Sequence, residues 1–272
     1  MKNFFQNKIV CITGSSQGIG LSTAKYLGKL GAKICLNGRN SSKLAAALNS
    51  LVLDGITSFA VVGDVSKPED CKLLVEQCVT HFGGLDVLIN NAGIASRGRI
   101  IETTPETWSN ILNINTLGVI NTTFYALPHL LKSKGSVIII SSMAGKVGVP
   151  GHSGYSVSKM GLTAYAKALQ SEYNSTDLHC GLIFVGFTIN DEQKQILAPD
   201  GSYSGLKERK GIKLAKQEDV SKSIAQVIVK RKKEKTLTVL GKLQHIMLKF
   251  APRVVYSALK KSYKDYDKMY EA

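Results

Sequence analysis

"KIVCITGSSQGIG", residues 8–20, carries the first decision about the fold. Residues 8–13 form a short apolar, β-branched run that stops at Gly14, and a helix-like apolar pattern runs from Ile19 to Leu30. That order reads as strand, tight turn and helix. Gly14, Gly18 and Gly20 sit in or beside the turn, where glycine tolerates positive φ and lets a ligand approach the backbone. The amino terminus of the helix that follows favours an anion such as a pyrophosphate. Ser16, Gln17 and Ile19 lie between these glycines and complete the candidate phosphate-binding loop. The spacing is GxxxGxG rather than the GxGxxG of many dinucleotide folds. Tight turns use glycine for structural reasons too, so it is the position after the very first strand that directs the reading to a nucleotide.

Outward from this stretch the same alternation returns. "AKICLN" (32–37) precedes a helical stretch over 41–53, and "SFAVVGDV" (58–65) precedes one over 68–82. "LDVLIN" (85–90), "GSVIIISS" (135–142), "LHCGLIFV" (178–185) and "KTLTVL" (235–240) continue the series. Near-continuous apolar strands separated by helix-length segments predict a parallel sheet covered on both faces. With right-handed crossovers the expectation is an α/β, doubly wound, mainly parallel, Rossmann-like sheet, its ligand crevice at the carboxyl ends of the strands. Residues 190–216 are polar, contain Pro199, Gly201 and Gly205, and break the rhythm. They read as a long loop or small helical flap over the crevice.

The chain has 272 residues, 44% hydrophobic and 20% charged, which suits one large α/β domain better than two. We assign residues 1–241 to that domain and 242–272 to a C-terminal extension. No run reaches the length of a spanning helix, and the first residues, "MKNFFQNKIV", do not resemble a secretory leader, so the expected location is the cytoplasm. The cysteines (Cys11, Cys35, Cys71, Cys78, Cys180) are odd in number, scattered and mostly inside apolar runs, which reads as reduced packing residues with no metal site. The net charge is +15, and residues 205–272 hold 18 Lys and Arg against 7 Asp and Glu, so 11 of those charges lie in the last quarter. An anionic membrane, a nucleic acid, a phosphorylated substrate or plain solvent would each accommodate such a tail.

At the end of the second strand a carboxylate would bind the ribose 2′-hydroxyl of NAD, whereas an arginine accommodates the 2′-phosphate of NADP. The chain has "LNGRN" there, with Gly38 and Arg39 and no acid, so NADP(H) is the expected cofactor unless Arg39 is an ordinary surface arginine. Asp64 and Val65, after the third strand, are candidates to hold the adenine. Asn91, Ala92 and Gly93 of "NNAG" (90–93) are candidates to support the sheet and the cofactor.

"GYSVSK" (154–159) puts Tyr155 and Lys159 four apart, on one face of a helix. As a set, "TGSSQGIG", "NNAG", "NIN" (113–115), the serine of "ISS" (140–142) and "YSVSK" resemble the short-chain dehydrogenase/reductase superfamily over roughly residues 7–190. The resemblance implies a catalytic tetrad of Asn115, Ser142, Tyr155 and Lys159. It also implies cofactor contacts at Tyr155, Lys159, Gly186 and Thr188, although Val185 stands where the family often has proline. Elementary chemistry supports the same roles. A phenol ionises near pH 10, and a neighbouring ammonium favours the phenolate, which makes Tyr155 a usable acid and base. Ser142 can hydrogen-bond and orient the same carbonyl oxygen. Asn115 is expected to hold a water that connects Lys159 to solvent. Alone, each has a plainer reading as a helix surface, a strand cap or a turn. His152 is a candidate for the substrate entrance.

The resemblance further implies a homodimer or homotetramer built from the helices after the fourth and fifth strands. Beyond the seventh strand, "GKLQHIMLKFAPRVVYSALKKSYK" interleaves apolar and basic residues about Pro252, which predicts two basic amphipathic helices. These suit a peripheral membrane contact, a partner subunit or the chain's own core. No nucleic-acid-binding motif is present. The expected activity is NADP(H)-dependent interconversion of a carbonyl and an alcohol, on a substrate such as a 3-oxoacyl, sphingoid, retinoid or steroid-like compound. The rival is a nucleotide-binding scaffold or regulatory protein without turnover.

Overall fold

The computed structural model describes residues 1–189, 195–205 and 214–268. The strands are β1 Ile9–Ile12, β2 Lys33–Gly38, β3 Ser58–Val62, β4 Val87–Asn90, β5 Ala95–Ser96, β6 Ser136–Ser142, β7 His179–Val185, β8 Gln195–Leu197, β9 Tyr203–Gly205 and β10 Glu234–Thr236. The helices are α1 Lys2–Phe5, α2 Gly18–Lys29, α3 Ser41–Leu53, α4 Pro68–Phe82, α5 Pro105–Leu112, α6 Gly118–Lys132, α7 Ser153–Glu172, α8 Gln217–Val229, α9 Val239–Phe250 and α10 Pro252–Lys268. One π-helical turn, Asn113–Leu117, joins α5 to α6.

Seven strands form one sheet in the order β10-β7-β6-β4-β1-β2-β3, and every pairing in it is parallel. The chain leaves β1 outward through β2 and β3, then returns to the other side of β1 as β4. The switch point between β1 and β4 opens the crevice in which an open α/β sheet binds its ligand. β4 and β7 are buried along their whole length, as strands covered on both faces must be. On one face Ala24 and Leu27 of α2, Leu44, Ala47 and Leu51 of α3, and Ile224 and Ile228 of α8 pack on the sheet. On the other, Leu74 and Val75 of α4, Val119, Ala126 and Leu130 of α6, and Leu162 and Ala166 of α7 do the same. Each large side chain buried this way contributes about 1.5–3 kcal/mol.

Local sequence sets the helix ends. Asn40 caps α3 by accepting from the Lys43 N–H, and Thr104 caps α5 ahead of Pro105. In α4, Pro68 opens the helix, Glu69 and Asp70 lie in the first turn, and Gly83 closes it with φ +88°.

Two expectations are corrected. The run 235–240 is not one strand: β10 ends at Thr236, and Thr238 accepts from the Gly241 N–H to start α9. The capping hydroxyl outweighs the β-branched run, because the adjoining "LGKLQHIMLKF" has helical period. Of residues 190–216, 190–194 and 206–213 lie outside the described residues. The part between them is a β-hairpin, β8 against β9, whose β8 pairs with β5. Gly201, at φ +86°, makes its turn. No helix among the described residues is long and apolar enough to cross a membrane.

Candidate active site

Gly14 adopts φ +60° and Gly18 φ +62°, the left-handed region that the strand-to-helix turn requires. A Cβ on Gly14 would lie 2.7 Å from the Cα of Ala92, so the turn packs directly on the "NNAG" segment. Asn91 fixes that contact: its Nδ2 donates to the carbonyls of Thr13 at 3.0 Å and Gly14 at 2.8 Å. The Thr13 hydroxyl accepts from the N–H groups of Asn91 and Ala92. Gln17 at the N-cap of α2 makes no capping side-chain bond, and no acid stands in the first turn. The Gly18–Gly20 end of α2, flanked by Ser16 and Ile19, thus offers amide groups and a positive dipole end to an anion, with no carboxylate in its own first turn.

Arg39 lies just past β2, exposed, and its Nη2 donates to the Tyr203 hydroxyl at 3.1 Å. That bond holds the guanidinium above its ordinary pKa against the cost of partial burial. The Asp64 carboxylate accepts from the N–H and hydroxyl of Ser66, fixing the turn after β3. Val65 is buried against Ile114 and Cys71.

The segments that carry the chemistry-bearing side chains lie at the carboxyl ends of β4 and β6. Tyr155 and Lys159 share one face of α7, and the Lys159 Nζ lies 5.8 Å from the centre of the Tyr155 ring. Lys159 is buried and donates to the Ile140 carbonyl at 3.0 Å. Asn115, in the π turn, is fully buried: its Oδ1 accepts from the Ile94 N–H at 2.7 Å, and its Nδ2 donates to the Ile94 carbonyl at 2.9 Å and the Ser158 hydroxyl at 3.0 Å. The wider π turn rotates this side chain off the regular helical path toward α7. A Cβ on Gly93 would meet Asn115 Oδ1 at 3.1 Å and Lys159 Nζ at 3.4 Å, so glycine lets "NNAG" reach both. Ser142 ends β6 and accepts from the Ala144 N–H at 3.3 Å. Gly186 follows β7, and Thr188 is buried with its hydroxyl donating to the Gly186 carbonyl.

At the start of α7 a shallow surface depression is lined by Ser96, Thr107, His152, Gly154, Leu197 and Pro199, among others. His152 Nδ1 donates to the Ser96 carbonyl at 2.7 Å. Ser96, Leu197, Pro199 and Tyr203 were not legible as site residues, because two- and three-residue strands carry no periodic signal. The cysteines are less scattered than the sequence implied. Register places Cys11 opposite Cys35, and their sulfurs and that of Cys78 lie within 4.8 Å of one another. All three are buried among Leu74, Leu88 and Val119, where thiols pack as small apolar groups.

The parallel sheet with a glycine turn after its first strand defines a nucleotide-binding α/β fold. Comparison with known proteins places it more closely. A profile described as "short chain dehydrogenase" matches residues 8–199, and the chain belongs to that family of nicotinamide-nucleotide oxidoreductases. It is 29% identical over 251 residues to dehydrogenase/reductase SDR family member 7B of Danio rerio, covering 90% of this chain and 81% of that one. It is 32% identical over 186 residues to the 3-oxoacyl-[acyl-carrier-protein] reductase FabG of Staphylococcus aureus, covering 68% and 76%. The crystal structure of a short-chain dehydrogenase/reductase from Burkholderia phymatum, in complex with NAD, superposes with a TM-score of 0.78 at 21% identity, covering 90% of this chain and 95% of that one.

Proposed function

We propose that this protein is an NADP(H)-dependent oxidoreductase that interconverts a carbonyl and an alcohol, with Tyr155, Lys159, Ser142 and Asn115 as its catalytic group. The observation that carries the reading is that these four side chains are brought from three segments, the π turn, the end of β6 and the start of α7, to the mouth of the β1/β4 crevice. When bound there, the reduced nicotinamide supplies a hydride to the carbonyl carbon. Tyr155 gives its phenolic proton to the carbonyl oxygen, and in the alcohol-oxidising direction takes it back. The Lys159 ammonium favours the phenolate that remains. Ser142 donates to the same oxygen and orients it. Asn115 holds the Ile94 backbone in place and keeps the floor of the site rigid beside Gly93.

Gly14, Ser16, Gln17, Gly18, Ile19 and Gly20 cradle the pyrophosphate, and the uncapped start of α2 supports this. Asp64 and Val65 flank the adenine; Asn91, Ala92, Gly93, Gly186 and Thr188 border the nicotinamide half. Arg39 reads the 2′-phosphate, supported by the absence of any acid in "LNGRN". The apolar Leu197 and Pro199 in the lining of the depression are in keeping with a lipophilic substrate such as a 3-oxoacyl compound, and the name of the Staphylococcus aureus relative favours an acyl chain.

Titration with NADPH and NADH, followed by absorbance decay at the nicotinamide band over acyl, aliphatic and polycyclic carbonyls, tests the whole reading. Tighter NADPH binding with turnover of one carbonyl class is expected. Binding without turnover of any class would remove the catalytic assignment, and no binding would remove the assignment of the glycine turn.

A further inference from the structure

Arg39 and Tyr203 are separated by 164 residues, yet the arginine reaches out of the sheet to bond the hairpin. The guanidinium carbon also stands 5.7 Å from the centre of the Tyr203 ring. The hydroxyl accepts one Nη2 hydrogen, so its own O–H remains available as a donor beside the cation. A guanidinium and a phenolic O–H side by side are two donors of the kind a phosphate monoester takes up.

The hairpin that carries Tyr203 leads to the depression at the start of α7. Tyr203 pairs with Leu197 across β8 and β9, and Leu197 pairs with Ser96 of β5. The Ser96 carbonyl accepts from His152, a lining residue three positions before Tyr155. Thr104 adds a second tie by donating its N–H to the Pro199 carbonyl at 3.1 Å. One short ladder therefore runs from the ribose-reading arginine to the lining of the depression.

We propose that Tyr203 is a second reader of the 2′-phosphate, donating its hydroxyl proton to the phosphate that Arg39 neutralises, and that this contact holds the β8–β9 hairpin over the depression. The proposal rests on Arg39 as the 2′-phosphate reader. It makes the choice of cofactor a determinant of substrate affinity as well, because NADH gives the hairpin nothing to hold. A surface arginine alone would give the preference without that coupling.

The test measures dissociation constants of NADPH and NADH, and of 2′-AMP and AMP, for the wild type, Arg39→Ala and Tyr203→Phe. Amide hydrogen exchange over 195–205 is followed in each complex. Tyr203→Phe removes the hydroxyl, both the O–H donor and the acceptor of the Arg39 bond, at a position 40% exposed, so it leaves the fold intact. Expected are a loss of about fivefold in NADPH and 2′-AMP affinity with NADH and AMP unchanged, and slower hairpin exchange in wild type with NADPH than with NADH. If Arg39→Ala abolishes the NADPH preference while Tyr203→Phe keeps the wild-type ratio, the role of Tyr203 falls and that of Arg39 stands. If Arg39→Ala keeps the preference, both fall. Equal hairpin exchange with the two cofactors overturns the coupling.

Discussion

Tyr155 and Asn115, both in the proposed catalytic group, serve it in different ways at the level of single residues. Tyr155 is half-buried on α7, next to the lining residue Gly154, and carries the only proton that the proposed reaction asks of a side chain. Tyr155→Phe should lower carbonyl reduction by about a thousandfold while the NADPH dissociation constant stays near wild type. Surviving turnover would show that another group is the acid. Asn115 differs, since its amide satisfies both the N–H and the carbonyl of Ile94. Asn115→Ala strands those backbone groups in a closed space, and a loss of about 2 kcal/mol in urea unfolding is expected together with weaker activity. A variant with full stability and no activity would assign Asn115 a direct chemical part instead. The glycines and the Tyr-Lys spacing were visible in the sequence because local geometry dictates them. The Asn115 bonds were not, since nothing local announces that a helix widens by one residue at 113–117.

At the scale of elements, long apolar strands and capped helices were legible almost to the residue: α3 and α4 occupy the expected 41–53 and 68–82. The β5–β8–β9 sheet was hidden because its strands are too short for alternation to register. The meeting of Cys11, Cys35 and Cys78 was hidden because alternation fixes a face and says nothing of which strands are neighbours. His179, at the start of β7, joins two elements: its Nε2 donates to the Lys232 carbonyl at 3.0 Å after α8, and its Nδ1 accepts from the Ser136 hydroxyl of β6 at 3.1 Å. Burial depresses its pKa below the ordinary imidazole value, and Arg231 adds to the effect while the bond to Lys232 opposes it. The unfolded chain therefore takes up this proton first, near pH 6.5. The stability that a neutral His179 supports is complete above that value and is lost as pH falls toward the depressed native value. Urea midpoints of wild type should drop more steeply between about pH 7.5 and about pH 5.5 than those of His179→Gln; parallel curves would remove His179 as the cause.

The tail elements carry a separate expectation. α9 is fixed to the body where Lys146 bonds Glu234 at 2.6 Å and His245 at 2.8 Å, yet Leu243, Ile246, Phe250 and Val254 remain exposed. Exposed apolar side chains interleaved with Lys242, Lys249 and Arg253 suit an anionic bilayer surface. Sedimentation with anionic liposomes should require residues 242–272, and equal sedimentation of the truncated chain would reject membrane contact through the tail.

For the molecule as a whole, Leu117, Phe124, Val157 and Met160 expose apolar surface on the π turn, α6 and α7, with Phe124 at 68% exposure. Side chains of that kind on neighbouring helices support a homodimer or homotetramer formed through them. Phe124→Glu should shift the assembly toward smaller species in sedimentation equilibrium without changing the unfolding midpoint of the dissociated chain; an unchanged mass would place the interface elsewhere. The buried sulfurs have a different consequence. All five cysteines are free and enclosed, and burial pushes the Cys180 thiol up to about 12. A thiol-seeking dye in the surrounding solution finds nothing to colour while the sheet stays shut. The colour develops only as fast as whole molecules open, so the chain carries its own stopwatch for unfolding, read without any added label.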